Sequence, residues 1–227
     1  MVARPTCRGG IELRAGATVL DVGANVGVAA TFFAERGAAS IHCFEPVDPI
    51  REILERNVGA IEGCTVHPYG LAAQAEGRAT VTYYPRADAM SSLFADPDRD
   101  AALAKQVIRN VGFDAAAATA AVRGRYRPET LTCELRTLST VLADEAIGAV
   151  DLLKIDVEHA ELGVLRGIDE DDWPRIRQLV AEIHDQGDRV EAILGLVGGH
   201  GFSTIVEQDE GMAGTDVQML YARRGGD

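Results

Sequence analysis

The stretch Thr18-Val-Leu-Asp-Val-Gly-Ala-Asn-Val-Gly27 decides the fold of this chain. Its apolar first half predicts a buried strand, and a helical pattern over 26–35 follows it directly. A strand that turns sharply into a helix points backbone N–H groups and the positive end of the helix dipole at one spot. Glycines at such a turn let a ligand lie against the backbone. The stretch therefore predicts an α/β ligand-binding corner, with an ordinary corner that binds nothing as the alternative.

The spacing around this corner indicates which ligand fits. A second predicted strand ends in Glu45, 24 residues after Asp21, where a carboxylate grips ribose hydroxyls. A dinucleotide site needs the pattern G-x-G-x-x-G, and the spacing from Gly23 to Gly27 fails it. Asp21 and Asn25 instead offer a carboxylate and an amide, which suit an amino-acid ammonium and carboxylate. The loop therefore favours S-adenosylmethionine, which has no phosphate. An NAD-dependent oxidoreductase with an atypical glycine loop is the alternative.

Composition limits the class of protein. The chain has 227 residues, 47% hydrophobic and 25% charged, which is enough for one α/β domain. A net charge of −13 argues against binding to nucleic acid and to anionic membranes. No apolar run approaches the ~18 residues of a membrane span, and the first residues lack a signal-peptide pattern. We therefore expect a cytoplasmic protein without nucleic-acid or membrane partners.

The four cysteines show neither a C-x-x-C pair nor the His/Cys spacing of a zinc site. We therefore expect free thiols in a reducing compartment and no metal site. The alternative is a magnesium ion held by Asp156, Glu158 and His184, and Glu158 can equally serve as the cap of the following helix. The cysteines are Cys7, Cys43, Cys64 and Cys133.

Strand and helix patterns alternate along the chain, which predicts a parallel sheet covered on both faces. Residues 85–130 interrupt the alternation, and we predict a helical insertion that acts as a lid, with a surface loop as the alternative. No linker divides the chain, so 1–227 is expected to be a single domain. The predicted strands are 18–21, 41–45, 65–69, 79–84, 131–137, 150–157, 178–183, 202–206 and 217–221, the last two antiparallel. The predicted helices are 26–35, 49–58, 101–111, 115–123, 160–166 and 189–197.

Four stretches carry a resemblance to a known family. They are Leu20-Asp-Val-Gly-Ala-Asn-Val-Gly27, Phe44-Glu-Pro46, Leu153-Lys-Ile-Asp-Val-Glu-His-Ala-Glu161 with Val164-Leu-Arg-Gly167, and Val180-Ala-Glu-Ile-His184. In this order the chain resembles the FkbM-family S-adenosylmethionine-dependent methyltransferases over 17–223. The resemblance implies a seven-stranded, Rossmann-like class I methyltransferase sheet whose last strand is antiparallel, and methyl transfer to a hydroxyl oxygen. Relatives usually have Gly in place of His159. Many also have a longer N-terminal lead, which suggests a domain taken from a larger multidomain enzyme.

Ligands of open α/β sheets bind beyond the carboxyl ends of the strands. Glu45 is predicted to accept hydrogen bonds from both ribose hydroxyls. Asp21 is predicted to support the methionine end of the cofactor or to order the glycine loop. The predicted cofactor contacts are Asp21, Gly23, Asn25, Gly27, Glu45, Pro46, Gly70, Leu71 and Asp156.

Catalysis is predicted at the ends of two strands that the resemblance makes neighbours. His184, oriented by Asp156, is predicted to take the proton of the acceptor hydroxyl as a general base. His159, at the mouth of the site, is a further catalytic candidate, and loss of the proton to water is the competing account. Lys154 lies within an apolar strand and needs a carboxylate partner, for which Glu182 is the candidate.

We therefore expect an O-methyltransferase that uses S-adenosyl-L-methionine. Its acceptor is expected to be a hydroxylated small molecule, free or tethered to a carrier, in the biosynthesis of a polyketide, peptide or sugar-containing natural product. A domain that binds S-adenosylmethionine without catalysis and an NAD-dependent oxidoreductase are the alternatives.

Overall fold

The computed structural model describes residues 8–225, so Cys7 lies outside the described residues. The strands are β1 (Thr18–Val22), β2 (Ser40–Phe44), β3 (Cys64–His67), β4 (Tyr69–Leu71), β5 (Glu76–Tyr83), β6 (Glu129–Arg136), β7 (Leu152–Ile155), β8 (Gln178–His184), β9 (Phe202–Glu207) and β10 (Val217–Arg224). The helices are α1 (Val28–Glu35), α2 (Asp48–Val58), α3 (Pro97–Asn110), α4 (Ala115–Val122), α5 (Leu138–Asp144), α6 (Glu161–Arg166) and α7 (Arg189–Gly199).

Seven strands form the main sheet in the order β3-β2-β1-β7-β8-β10-β9. Strands β3, β2, β1, β7 and β8 run parallel, whereas β10 is antiparallel to both β8 and β9. This confirms the predicted seven-stranded sheet with an antiparallel last strand. The strand order reverses between β1 and β7, and ligands of open α/β sheets bind in the crevice at such a reversal. The loops after β1 and β7 therefore form the expected ligand site.

Helices cover both faces of the sheet, as the alternation predicts. Successive side chains of a strand point to opposite faces, so Leu20 and Val22 of β1 join one apolar cluster and Val19 joins another. The first cluster contains buried side chains of α5, α6 and α7, and the second contains those of α1 and α2. Burial on two faces explains why β1 is apolar, apart from Thr18 at its start and Asp21.

A second sheet of three strands, in the order β4-β6-β5, is absent from the sequence prediction. The predicted strand 65–69 divides at Pro68, because proline has no N–H to donate to a ladder. The chain then leaves the main sheet, and Tyr69 starts β4 beside Glu134 of β6. Helix α5 was also not predicted, although Thr137 accepts a hydrogen bond from the N–H of Thr140 at 3.1 Å and so caps the helix.

The insertion between β5 and β6 is helical, as predicted, and consists mainly of α3 and α4. Asp96 caps α3 by accepting hydrogen bonds from two backbone N–H groups at 3.0 Å, and Asp114 caps α4 at 2.7 Å. Asn110, at the end of α3, donates to the backbone oxygens of Gly211 and Ala213. The insertion is therefore tied to the segment that precedes β10. Within residues 8–225 no helix is long and apolar enough to cross a membrane.

Candidate active site

Lys154 connects the two loops at the strand reversal. It lies opposite Asp21 in the β1–β7 pairing, and its Nζ is 3.0 Å from Asp21 Oδ1 and 3.4 Å from Asp156 Oδ2. It also donates to the backbone oxygen of Gly23 at 2.9 Å. Burial raises the pKa of Asp21, against the effect of Lys154. Burial lowers the pKa of Lys154, but the two carboxylates outweigh it and raise the pKa overall. The expected pairing of Lys154 with Glu182 is therefore wrong.

Two glycines of the first loop have different reasons to be glycine. Gly23 has φ 77°, and a Cβ there would lie 1.8 Å from the backbone oxygen of Asp156. Gly27 has φ 90°, and a Cβ there would lie 2.9 Å from Leu54 and 2.8 Å from Val58 of α2. Gly23 thus allows the loops after β1 and β7 to touch, whereas Gly27 allows α1 to pack on α2.

Glu45 follows β2 and is 5% exposed. One carboxylate oxygen accepts from the N–H of Asn25 at 3.1 Å, and the other accepts from the N–H of Val47 at 2.9 Å. Burial raises the pKa of Glu45 to about 7, although these two hydrogen bonds oppose the shift. The two hydrogen bonds therefore hold the carboxylate in one orientation, and the group loses its proton near neutral pH.

Glu45 lines a cavity at the strand reversal. Among the described residues that line it, four carry carboxylates and none is Lys, Arg or His. Apolar side chains such as Phe44, Leu71 and Leu135 form much of the remaining wall. A cavity with this charge suits a cationic ligand with an apolar ring, and it is unfavourable for a phosphate. The carboxylates are Glu45, Asp88, Asp156 and Glu158.

The cavity brings together most of the predicted cofactor contacts. Those that line it are Gly23, Asn25, Glu45, Pro46, Gly70, Leu71 and Asp156. Asp21 and Gly27 are not among the described residues that line it, so their contact with the cofactor stays a prediction. Asp21 is fully buried, and its carboxylate faces Lys154. This position is consistent with its predicted role in ordering the glycine loop.

A second groove adjoins this cavity and shares Leu71, Leu93, Leu135 and Ala160 with it. Phe94, which is 56% exposed, belongs to its wall. His159, Arg166 and Arg189 add polar groups to the groove. The groove and the cavity therefore lie side by side and share an apolar wall.

The serine pair at the start of the insertion fixes this wall. Ser92 is buried and donates to the backbone oxygen of Glu158. Ser91 accepts from the N–H of Tyr84 at 3.1 Å. Ser92 also pairs with Thr82 of β5 through two backbone hydrogen bonds of 3.0 Å. The insertion is therefore joined directly to the loop after β7.

His184 lies between two carboxylates and has no exposed surface. Its Nδ1 is 3.0 Å from Glu161 Oε1, and its Nε2 is 3.3 Å from Glu158 Oε2. Burial lowers the pKa of His184, but hydrogen bonds to Glu158 and Glu161 outweigh it and raise the pKa to about 10. The predicted orientation by Asp156 is wrong, because Asp156 pairs with Lys154. A buried imidazole that keeps its proton at neutral pH is also disfavoured as the general base.

His159 stacks against His184, with the two ring centroids 4.0 Å apart. It is 4% exposed, and neither ring nitrogen has a hydrogen-bond partner. Burial, with help from the charge of His184, lowers the pKa of His159 to about 3. His159 is therefore a neutral imidazole with two free nitrogens at neutral pH.

Glu161 is the residue of this cluster to which sequence reasoning gave no role. It is fully buried, and Oε1 accepts from the backbone N–H of His159 at 2.7 Å as well as facing His184. One feature of the sequence could have pointed to Glu161. It lies in the first turn of a predicted helix, where the helix dipole favours a carboxylate, and its neighbours are apolar. The pattern gave no means of pairing it with a strand residue 23 positions further on.

Comparison with known proteins agrees with this arrangement. Residues 21–206 match the family described as the methyltransferase FkbM domain. The 31-O-demethyl-FK506 methyltransferase FkbM of Streptomyces tacrolimicus is 36% identical over an alignment that covers 96% of this chain and 84% of that protein. The AMB antimetabolite synthetase AmbE of Pseudomonas aeruginosa is also 36% identical over 96% of this chain, but the match spans only 11% of AmbE.

The fold also matches solved structures. The crystal structure of methyltransferase FkbM from Methylobacillus flagellatus KT superposes with a TM-score of 0.59 at 12% identity, covering 94% of this chain and 46% of that one. An identity this low shows a shared fold and no more. The family match over 21–206 and the 36% identity to the Streptomyces relative carry the family assignment. This chain belongs to the FkbM methyltransferase family.

Proposed function

We propose that this protein transfers the methyl group of S-adenosylmethionine to a hydroxyl oxygen of a small or carrier-tethered molecule. The observation that carries the proposal is the cavity at the strand reversal. Its described lining has four carboxylates and no basic side chain, and Glu45 is oriented there by the N–H groups of Asn25 and Val47.

The charge of the cavity favours this cofactor over NAD. When bound, S-adenosylmethionine supplies an electrophilic methyl group on a cationic sulfonium. The carboxylates of Asp156 and Glu158 line the cavity and offer oxygen atoms to such a cation, whereas a pyrophosphate would meet no basic side chain among the described lining residues. Glu45 accepts hydrogen bonds from ribose hydroxyls, and the apolar wall at Leu71 packs against adenine.

The adjoining groove is the proposed acceptor site. Its shared apolar wall leads to the cavity, and Phe94 gives an apolar acceptor a large surface to pack against. The name of the Streptomyces relative describes methylation at an oxygen, and this supports a hydroxyl acceptor of the natural-product type. The match within AmbE, a synthetase, supports a carrier-tethered acceptor as the second form of the same substrate class.

Glu158 is the proposed site of proton removal. It lines the cavity, and burial raises its pKa despite the opposing effect of His184, which makes this carboxylate a better proton acceptor than an ordinary one. His184, which faces Glu158 from a fully buried position, is proposed as a positioning residue. The remaining task of the protein is to align oxygen, methyl carbon and sulfur while it excludes water.

The test is methyl transfer with isotope-labelled S-adenosylmethionine and a panel of hydroxylated acceptors that includes a macrolide alcohol, a serine-containing peptide and a sugar. The expected product carries one labelled O–CH₃ group, located by NMR. Calorimetry with S-adenosylhomocysteine and with NAD is run on the same protein. A label on nitrogen or carbon would overturn O-methylation, and binding of NAD alone would overturn the methyltransferase assignment. Binding of S-adenosylhomocysteine with no transfer to any acceptor would favour a non-catalytic domain.

A further inference from the structure

We propose that Glu158, His159 and His184 form a binding site for one divalent transition-metal ion of the zinc type. Each residue offers one ligand atom, and the three atoms all lie within 4.8 Å of one another. Two imidazoles and one carboxylate are a common ligand set for such ions. The site is distinct from the magnesium alternative weighed from the sequence, because it uses His159 and excludes Asp156. It also revises the expectation of no metal.

The spacing of two of the ligand atoms fits a single ion. His184 Nε2 and Glu158 Oε2 are 3.3 Å apart. Ligands bound about 2.0–2.1 Å from a tetrahedral zinc ion are about 3.3 Å from each other. His184 Nε2 is buried and faces the carboxylate with which it would share the ion.

Glu161 prepares His184 for this role. Its Oε1 is 3.0 Å from His184 Nδ1, so the Nδ1 proton is donated to the carboxylate, and an ion that binds at Nε2 displaces the second proton of the ring. Metal-binding histidines usually donate their other N–H to a carboxylate or a carbonyl, which fixes both the tautomer and the ring orientation. Glu161 is fully buried and is therefore held in place.

His159 is the strongest indication of a ligand. Two nitrogens of a ring that is 4% exposed have no partner, and a buried polar group without a partner is costly. The backbone adds to the cost, because Glu158 has φ 47° and His159 has φ 77°, in the left-handed region that glycine adopts freely. A metal ion on one ring nitrogen would offset both costs.

Two further carboxylates lie beside the cluster, and its ligands border both the cavity and the groove. Asp156 and Glu182 offer carboxylate oxygens that lie within 4.8 Å of one another and of Glu158. Glu158 lines the proposed cofactor cavity and His159 lines the adjoining groove, so the ion would lie at the boundary of the two. Three protein ligands leave an open coordination position, as in catalytic zinc sites. This last step rests on the proposed function: the ion would lower the pKa of an acceptor hydroxyl bound at the open position, and Glu158 would then serve as its ligand instead of taking the proton itself.

The test measures metal binding without turnover. The full chain is stripped with a chelator and titrated with Zn²⁺ against a chromophoric competitor, and Co²⁺ is added separately to read its visible absorption. One equivalent of tightly bound Zn²⁺ and the intense bands of four-coordinate Co²⁺ are expected. His159→Gly should lower the Zn²⁺ affinity by at least about 100-fold, since loss of an outer-shell partner alone typically costs 10–100-fold. The glycine suits φ 77°, so this variant should fold at least as well as the parent.

His200→Gln is the matched control, because His200 stacks on Trp173 away from the cluster and its loss should leave Zn²⁺ affinity unchanged. Glu161→Gln should weaken Zn²⁺ binding by about 10–100-fold through His184. Equal Zn²⁺ affinity in the parent and His159→Gly, or no Zn²⁺ bound by the folded parent, would overturn the site. Failure of the methyl-transfer assay with an intact Zn²⁺ site would instead count against the proposed function alone.

Discussion

The ammonium group of Lys154 on β7 lies 3.0 Å from the fully buried carboxylate of Asp21 on β1. The two residues are direct partners in the parallel pairing of these strands, at the point where the strand order reverses. Lys154 also donates a hydrogen bond of 2.9 Å to the backbone oxygen of Gly23. One buried ion pair thus connects the two strands and the glycine loop.

Removal of Lys154 should therefore destabilise the protein strongly. Lys154→Met leaves Asp21 buried without a partner, and breaking a buried pair from one side typically costs about 3–5 kcal/mol in the free energy of unfolding. The double variant Asp21→Asn with Lys154→Met should recover part of that loss. Urea denaturation measures both, with Lys105→Met as control because it removes the only other lysine. A loss below about 1 kcal/mol in Lys154→Met would contradict this account.

A histidine pair makes the stability depend on pH. His42 Nδ1 is 3.1 Å from His67 Nε2, and Tyr69 Oη is 3.0 Å from His67 Nδ1. Burial, and then the charge of His42, lower the pKa of His67 to about 4, although Glu145 at 3.9 Å acts in the opposite direction. Burial also lowers the pKa of His42. Both are therefore neutral in the folded protein at pH 7.

The sign follows from proton uptake by the unfolded chain. Below pH 6.5, the ordinary pKa of histidine, this residue binds a proton in the unfolded chain but stays neutral in the folded protein. The free energy of unfolding therefore has its full value above pH 6.5 and decreases as the pH falls towards about 4. His67→Gln should reduce the loss between pH 7.5 and pH 5, measured by urea denaturation at each pH. His200→Gln should leave the loss unchanged. A variant whose stability falls with pH as steeply as the parent's would refute the assignment to His67.

Local patterns predicted a parallel main sheet covered on both faces, whereas its seven strands and its antiparallel last strand were implied by the family resemblance. Apolar strands that alternate with helical periodicity require a parallel sheet with two covered faces, and Glu45 comes directly after one such strand. The small second sheet was not predicted, since it depends on Pro68 ending β3 and on long-range pairing of β4 with β6. Local periodicity carries no information about such pairing.

The cluster around His184 was predicted only in part for a similar reason. The pattern placed Asp156 and His184 at strand ends and the family resemblance made those strands neighbours, which the structure bears out in the β7–β8 pairing. It did not predict that Asp156 turns to Lys154 while Glu158 and Glu161 face the histidine. The left-handed backbone at Glu158 and His159 redirects the chain after β7, and no alternation rule covers that turn.

Loss of the contact between Tyr84 and α3 should increase the local unfolding of this helix. Tyr84, fully buried next to β5, donates to Asp100 of α3 at 2.9 Å. Tyr84→Phe removes a hydrogen bond to a carboxylate, worth about 1.5–3 kcal/mol. Amides of α3 should then exchange roughly 10–100-fold faster in hydrogen-exchange mass spectrometry, while those of β7 stay protected. Tyr83→Phe is the matched control.

The same variant tests the insertion as a lid. If α3 and α4 close over the acceptor, Tyr84→Phe should raise KM for the acceptor and leave the affinity for S-adenosylhomocysteine unchanged. Faster exchange of α3 with unaltered kinetics would refute the lid, whereas unaltered exchange would refute the role of the Tyr84–Asp100 contact.

Glu45 gives the most direct test of the cofactor site. Glu45→Gln keeps the size of the side chain but removes the charge that accepts ribose hydroxyls. Hydrogen bonds to a charged group contribute about 1.5–3 kcal/mol each, so affinity for S-adenosylhomocysteine should fall by about 10–100-fold. Asp48→Asn, an exposed carboxylate three residues away, should have little effect in the same calorimetric titration.

The pH dependence of binding separates this role from a purely structural one. Burial raises the pKa of Glu45 to about 7 in the free protein, and the ligand is expected to bind the charged form. Affinity should then be full above about pH 7 and decline as the pH falls below it, because the carboxylate must first lose a proton. Glu45→Gln cannot titrate, so its weaker affinity should not change between pH 6 and pH 8. A decline that persists in Glu45→Gln would assign the pH dependence to another group and remove Glu45 from the ribose site.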